Sequence, residues 1–119
     1  MNRIINILAF ALLLSSCADP SIDFKKESWN ERSDLIYSNR SKMLRSLLAD
    51  HLTEGMTRIQ VTQLLGRPEN WSNIPTNEIG YEIEVDYGWN IDPVKGKNLL
   101  LQFSDDSLLT NITVLEWGK

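Results

Sequence analysis

Leu52-Thr-Glu-Gly-Met-Thr-Arg-Ile-Gln-Val-Thr-Gln-Leu-Leu-Gly-Arg-Pro68 contains its own start and stop signals for a short helix. Thr57 suits an N-cap. Gln60 stands three residues on, the spacing at which two free N–H groups are satisfied reciprocally. Met56 and Val61 occupy the two positions of a hydrophobic staple. Val61, Leu64 and Leu65 share one face, Gly66 can adopt the left-handed conformation that ends a helix, and Pro68 cannot continue one. The spacing predicts a helix over residues 58–65.

Upstream, apolar residues recur at helical spacing between Asp34 and His51. Met43, Leu44, Leu47 and Leu48 form the stripe, and Arg40, Lys42, Arg45 and Asp50 fall largely on the other side. Downstream the period changes to two. In Tyr81-Glu-Ile-Glu-Val-Asp-Tyr-Gly-Trp89 the odd positions are apolar or aromatic, while Glu82, Glu84 and Asp86 are expected to face the other way. Asn90 to Lys97 carries turn chemistry, Leu99 to Phe103 reads as a second strand, Ser104 to Ser107 as a turn, and Leu109 to Trp117 as a third strand. Short connections favour an antiparallel meander. The expectation is an α+β domain, two helices packed on a three-stranded antiparallel sheet.

The N-terminus has a different character. Met1-Asn2-Arg3 is a short positive region, and Ile4 to Leu14 is an apolar run broken only by Asn6. Spanning a bilayer takes roughly 20 residues, so this run fits the core of a secretory signal instead. Leu14-Ser15-Ser16-Cys17 resembles the lipobox of bacterial lipoproteins, in which the thiol takes a diacylglyceryl group, cleavage makes the cysteine the new N-terminus, and its amine is acylated. Two or three acyl chains, at about 0.8 kcal/mol per buried methylene, anchor a protein durably where one does not. The alternative is an ordinary signal peptide cut near Ala18 that leaves an incidental thiol. Ala18, and not an aspartate, follows Cys17, which under the enterobacterial sorting rule favours the outer membrane. The expected organisation is a signal peptide at 1–16, a lipidated N-terminus and tether at 17–30, and the α+β domain at 31–119.

Charge narrows the function. The net charge is -4, and removing residues 1–16 takes Arg3 with it, leaving 11 basic and 16 acidic residues. A nucleic-acid binder needs a basic stripe, and none is present. One cysteine allows no intrachain disulfide, so the domain must rest on its apolar core.

At Gly55-Met56-Thr57, Gln60, Val61, Leu64-Leu65-Gly66 and Pro68 the sequence resembles the BamE-like (SmpA/OmlA) outer membrane lipoprotein domain, whose members carry a comparable G-M-T…V…L-L-G-x-P stretch followed by three strands. The stretch from Leu99 to Ile112 is similar to that family's apolar strand, Asp-containing turn and next strand. The resemblance spans about Leu52 to Ile112. It implies the ααβββ arrangement of BamE-like and BLIP-like folds and a non-enzymatic role in the cell envelope. The founding member is an accessory subunit of the machine that folds barrel proteins into the outer membrane. This chain differs from it in a substantial helix before Leu52 and a longer stretch around Trp89 to Asn98, which favours a relative with another partner.

No catalytic residue, cofactor, metal or small-molecule substrate is expected. His51 lacks a neighbouring nucleophile or second metal ligand, and its position near a helix C-terminus suits a cation beside the dipole's negative end. Glu82, Glu84 and Asp86 read as a solvated face or as partners of lysines on the next strand. The four tryptophans are more informative. They either fold back over a small core or mark an interface, and Trp71 and Trp89, in loops held by the sheet, are the candidates for a partner surface. The expected function is a lipid-anchored, periplasm-facing binding or scaffold module of the outer membrane, involved in barrel-protein assembly or envelope integrity. The alternative is an inhibitor or immunity-type lipoprotein that blocks an enzyme.

Overall fold

The structure, a computed structural model, describes residues 21–89 and 91–118. Cys17, the signal run and most of the expected tether lie outside them. Three helices precede three strands: α1 (Lys26–Trp29), α2 (Arg40–Ser46, continued by a wider π-helical turn Leu47–His51), α3 (Arg58–Leu65), β1 (Glu78–Asp86), β2 (Lys95–Phe103) and β3 (Leu109–Gly118). The strands form one antiparallel sheet in the order β1-β2-β3. This is the expected α+β class, with a short helix added at the front.

Helix α3 follows its local signals closely. The Thr57 hydroxyl accepts the Gln60 N–H at 3.1 Å and the Gln60 side chain accepts the Thr57 N–H at 2.9 Å, closing the capping box. A further free donor of the first turn, the Arg58 N–H, reaches the Ser107 carbonyl at 3.0 Å. Val61 and Leu65 are buried, and Leu64 and Met56 pack on the same core. Gly66 ends the helix at φ 92°, a conformation that an L side chain adopts only with strain.

The core lies between one face of the sheet and the helices. Ile79, Tyr81 and Ile83 of β1 and Leu99, Leu101 and Phe103 of β2 meet Met43, Leu47, Leu52, Val61 and Leu65. The opposite face of the sheet has no helix on it among the described residues.

Three expectations need correction. The upstream helix begins at Arg40, not near Asp34, because Ser33 and Ile36 close a tight turn on each other and Asp34 takes φ 56°. The region assigned to a tether is partly folded: Phe24 and Trp29 are buried in the core, and the Ile22 N–H is bonded to the Lys42 carbonyl at 3.0 Å. Apolar surface of that size is costly to leave in water, so the folded unit starts well before residue 31. Glu82, Glu84 and Asp86 do not share a face. A β-bulge between Glu82 and Glu84 adds one residue to β1, so Glu82 pairs with Asn98 while Glu84 and Asp86 pair with Lys97 and Lys95.

Candidate functional site

Arg40 organises the inner half of the molecule. Helical spacing puts it on the solvent side of α2, yet its side chain is fully buried. Its guanidinium donates from Nε to the Trp29 carbonyl at 2.9 Å and from Nη1 to the Glu82 carbonyl at 2.8 Å and to Glu69 Oε2 at 3.3 Å. Nη2 donates to Asn30 Oδ1 at 3.3 Å. The cation also stacks on Tyr37, 3.4 Å from the ring centroid, and lies 4.9 Å from the Trp29 ring. Burial lowers its pKa, an effect opposed by the nearby Tyr37, Glu69 and Glu82, and the guanidinium stays charged.

The partners of Arg40 bond onward. Glu69 Oε2 also accepts the Glu82 N–H, at 3.2 Å, so one carboxylate joins the loop after α3 to β1. Asn30 donates to the Leu65 carbonyl at 3.1 Å and the Tyr81 hydroxyl to the Gly66 carbonyl at 2.8 Å, which satisfies the end of α3. Burial raises the Tyr81 phenol well above its ordinary range. Burial and the neighbouring Glu69 raise the Glu82 carboxyl. The cluster fixes the helices on β1 and is closed by protein groups, so it reads as framework.

The tryptophans divide among three environments. Trp29 is fully buried beside Phe24, Tyr81 and Arg40. Trp71 and Trp117 are half-buried, and their rings lie against Gly80 and Gly96 of the sheet. A Cβ at Gly80 would collide with the Trp71 ring, so only glycine admits this contact. Trp71 with Ile74, Pro75, Asn98 and Leu100 borders a shallow hollow of about 200 Å³. Trp89 is different: it and Ile91 are fully exposed in the β1–β2 connection. The base of that connection is held by Asp86, whose side chain accepts the Gly88 N–H and whose carbonyl accepts the Val94 N–H, both at 2.8 Å.

The two expected partner residues are not brought together. Trp71 rests at Gly80 and Trp89 lies beyond Asp86, a separation of about 20 Å along the strand at ~3.3 Å per residue. His51 closes the π turn with its ring 5.3 Å from that of Phe24. Asp86 lies 3.9 Å from Lys95, and Lys97 lies 3.9 Å from Glu116. No cluster of three metal-ligating side chains occurs among the described residues. Sequence reasoning missed Arg40 altogether, and the only trace of it is four partners scattered between Trp29 and Glu82.

The G-M-T-to-Pro68 stretch acquires a structural role here. The Gly55 N–H donates to the Leu109 carbonyl at 2.8 Å and the Leu109 N–H to the Met56 carbonyl at 2.7 Å, while Thr57 bridges to Leu108. The motif thus clasps the start of β3 while capping α3. A family model described as the outer membrane protein assembly factor BamE domain matches residues 42–113, a span that includes this clasp, β1, β2 and the first half of β3. No curated protein and no solved structure matches the chain. With well over half of its 119 residues matched, the chain belongs to the BamE domain family of outer membrane protein assembly factors.

Proposed function

We propose that this protein is a non-catalytic binding module of the cell envelope, anchored by lipid on Cys17 to the periplasmic side of the outer membrane, where it docks onto a protein of the barrel-assembly pathway. The family match carries the reading, because it covers the fold motif together with most of the sheet. The lipobox-like Leu14-Ser-Ser-Cys17 supports the anchor. Full exposure of Trp89 and Ile91 on a hairpin held by Asp86 supports a contact surface there, since tryptophan is enriched among residues that dominate interface energetics. Trp71 contributes a second, shallower contact at the hollow beside Leu100.

The test is crosslinking in intact cells followed by affinity capture, with Cys17→Ala and Trp89→Ala controls. Recovery of barrel-assembly components that is lost in both variants is the expected result. Recovery of one soluble hydrolase would instead mark an enzyme inhibitor. Absence of acyl mass on the mature N-terminus would refute the anchor.

A further inference from the structure

The hollow beside Trp71 contains a charge that its neighbours in the sheet do not balance. Alternation puts Glu78, Gly80 and Glu82 of β1 on the face turned away from the helices, because Ile79, Tyr81 and Ile83 lie in the core. On β2 the same face carries Gly96, Asn98, Leu100 and Gln102, since Leu99, Leu101 and Phe103 are buried. Pairing sets Glu78 opposite Gln102 and Glu82 opposite Asn98, so both carboxylates look across at neutral amides. The lysines of β2 stand on the other alternation, where Lys95 meets Asp86 and Lys97 meets Glu116. β3 contains no lysine or arginine at all. Among the described residues, the outer face of the strands therefore holds carboxylates and no basic side chain.

Glu78 is the sole charge in the lining of the hollow, where it joins Trp71, Asn98, Ile74 and Leu100 around about 200 Å³. It makes no ion pair among the described residues. Arg58 reaches the same loop, but its guanidinium donates to the Thr76 carbonyl at 2.7 Å and lies 5.0 Å from the ring centroid of Phe103, a core residue. Trp71 is seated by Gly80, whose missing side chain makes room for the ring. An aromatic wall, a half-buried carboxylate and an amide acceptor thus meet in one small space.

We infer that this hollow seats one arginine side chain of the partner protein. The inference rests on the docking role proposed for Trp71 and names what that contact recognises. A guanidinium stacks on indole while its N–H fork bonds a carboxylate, a combination that the compact, strongly hydrated lysine ammonium reproduces poorly. Ile74 and Leu100 suit the methylene stem. Sites for free small molecules occupy about 300–1,000 Å³, so the size of the hollow matches a single inserted side chain. A second copy of the chain is the poorer donor, because two molecules of net charge -4 repel each other.

The experiment titrates N-acetyl-arginine methylamide into the full chain while amide and indole resonances are followed. The Trp71 indole and the Asn98 side-chain amide should shift saturably. The citrulline analogue, similar in shape but uncharged, should bind about tenfold more weakly, a comparison that leaves the protein untouched. Glu78→Gln should weaken arginine binding about tenfold. Gly80→Ala, which moves the ring and no charge, should weaken it about fivefold. Equal shifts from arginine and citrulline, binding that survives Glu78→Gln, or a dimer of the chain alone that Glu78→Gln dissociates would each overturn the proposal. Capture of a barrel-assembly protein by a chain that ignores arginine sinks this inference and spares the docking role. Arginine binding that obeys Glu78 in a chain that captures no envelope protein supports the site and sinks the docking role.

Discussion

The Arg40 guanidinium and the Glu69 carboxylate meet at 3.3 Å, the arginine fully buried and the glutamate still partly open to water. Such a pair does not stabilise through Coulomb attraction alone, because desolvation of the cation opposes it. Its effect comes from geometry: one planar fork reaches Trp29, Asn30, Glu69 and Glu82 at once. Truncation leaves the buried Trp29 carbonyl and the part-buried Glu82 carbonyl without these donors. Arg40→Ala should cost about 3–5 kcal/mol, and Arg40→Lys should recover only a minor part because a point charge cannot reproduce the fork. Urea unfolding of the two variants is the measurement.

The Thr57 cap makes a smaller and cleaner prediction. Thr57→Ala should lower stability by about 1 kcal/mol, whereas Thr57→Ser should stay within a few tenths. Gln60→Ala removes the other half of the box and should couple with Thr57→Ala in a double-mutant cycle.

Tyr81 gives a pH dependence whose sign is fixed. Its phenol is raised above the ordinary value of 10.0 by burial, so the native protein holds a proton that the unfolded chain releases. That contribution is complete below about pH 10 and is lost as pH rises above it. Stability measured at increasing alkaline pH should fall more steeply for the parent than for Tyr81→Phe. At neutral pH the same variant should be less stable by about 1 kcal/mol, from loss of the bond to the Gly66 carbonyl.

Gly80 tests the outer face. Gly80→Ala should displace the Trp71 ring and change its emission, a difference that Trp71→Phe in the same background should erase. Trp89→Ala, by contrast, should leave stability within about 0.5 kcal/mol because the residue is fully exposed.

What the chain reveals as sequence depends on how local the cause is. Helix α3 is set by a cap, a staple and a glycine within a dozen residues, so its limits of 58 and 65 are legible. The three strands are legible for the same reason, though β1 and β2 begin earlier than alternation suggests. Arg40 is invisible because its burial depends on Trp29, Glu69 and Glu82, brought near only by folding. The bulge between Glu82 and Glu84 is equally hidden, since nothing in alternating charge announces an extra residue. Trp29 stands in a polar stretch that periodicity reads as linker, yet it is a core residue supplied from outside the span the family model matches. A fragment starting at residue 42 lacks Phe24, Trp29 and Arg40 and should give poorly dispersed amide spectra, while one starting at residue 21 should fold.

The bond from Ile22 to Lys42 has a further consequence for where the protein can work. If Cys17 carries the lipid as proposed, only Cys17 to Ser21 separate the acyl chains from the first anchored residue, a reach of at most about 18 Å at ~3.6 Å per residue. The domain would be held on a short leash, confined to a shell next to the headgroups and unable to search the wider compartment. A partner has to come within that shell, which a protein embedded in or lying on the same membrane does without leaving its own surface.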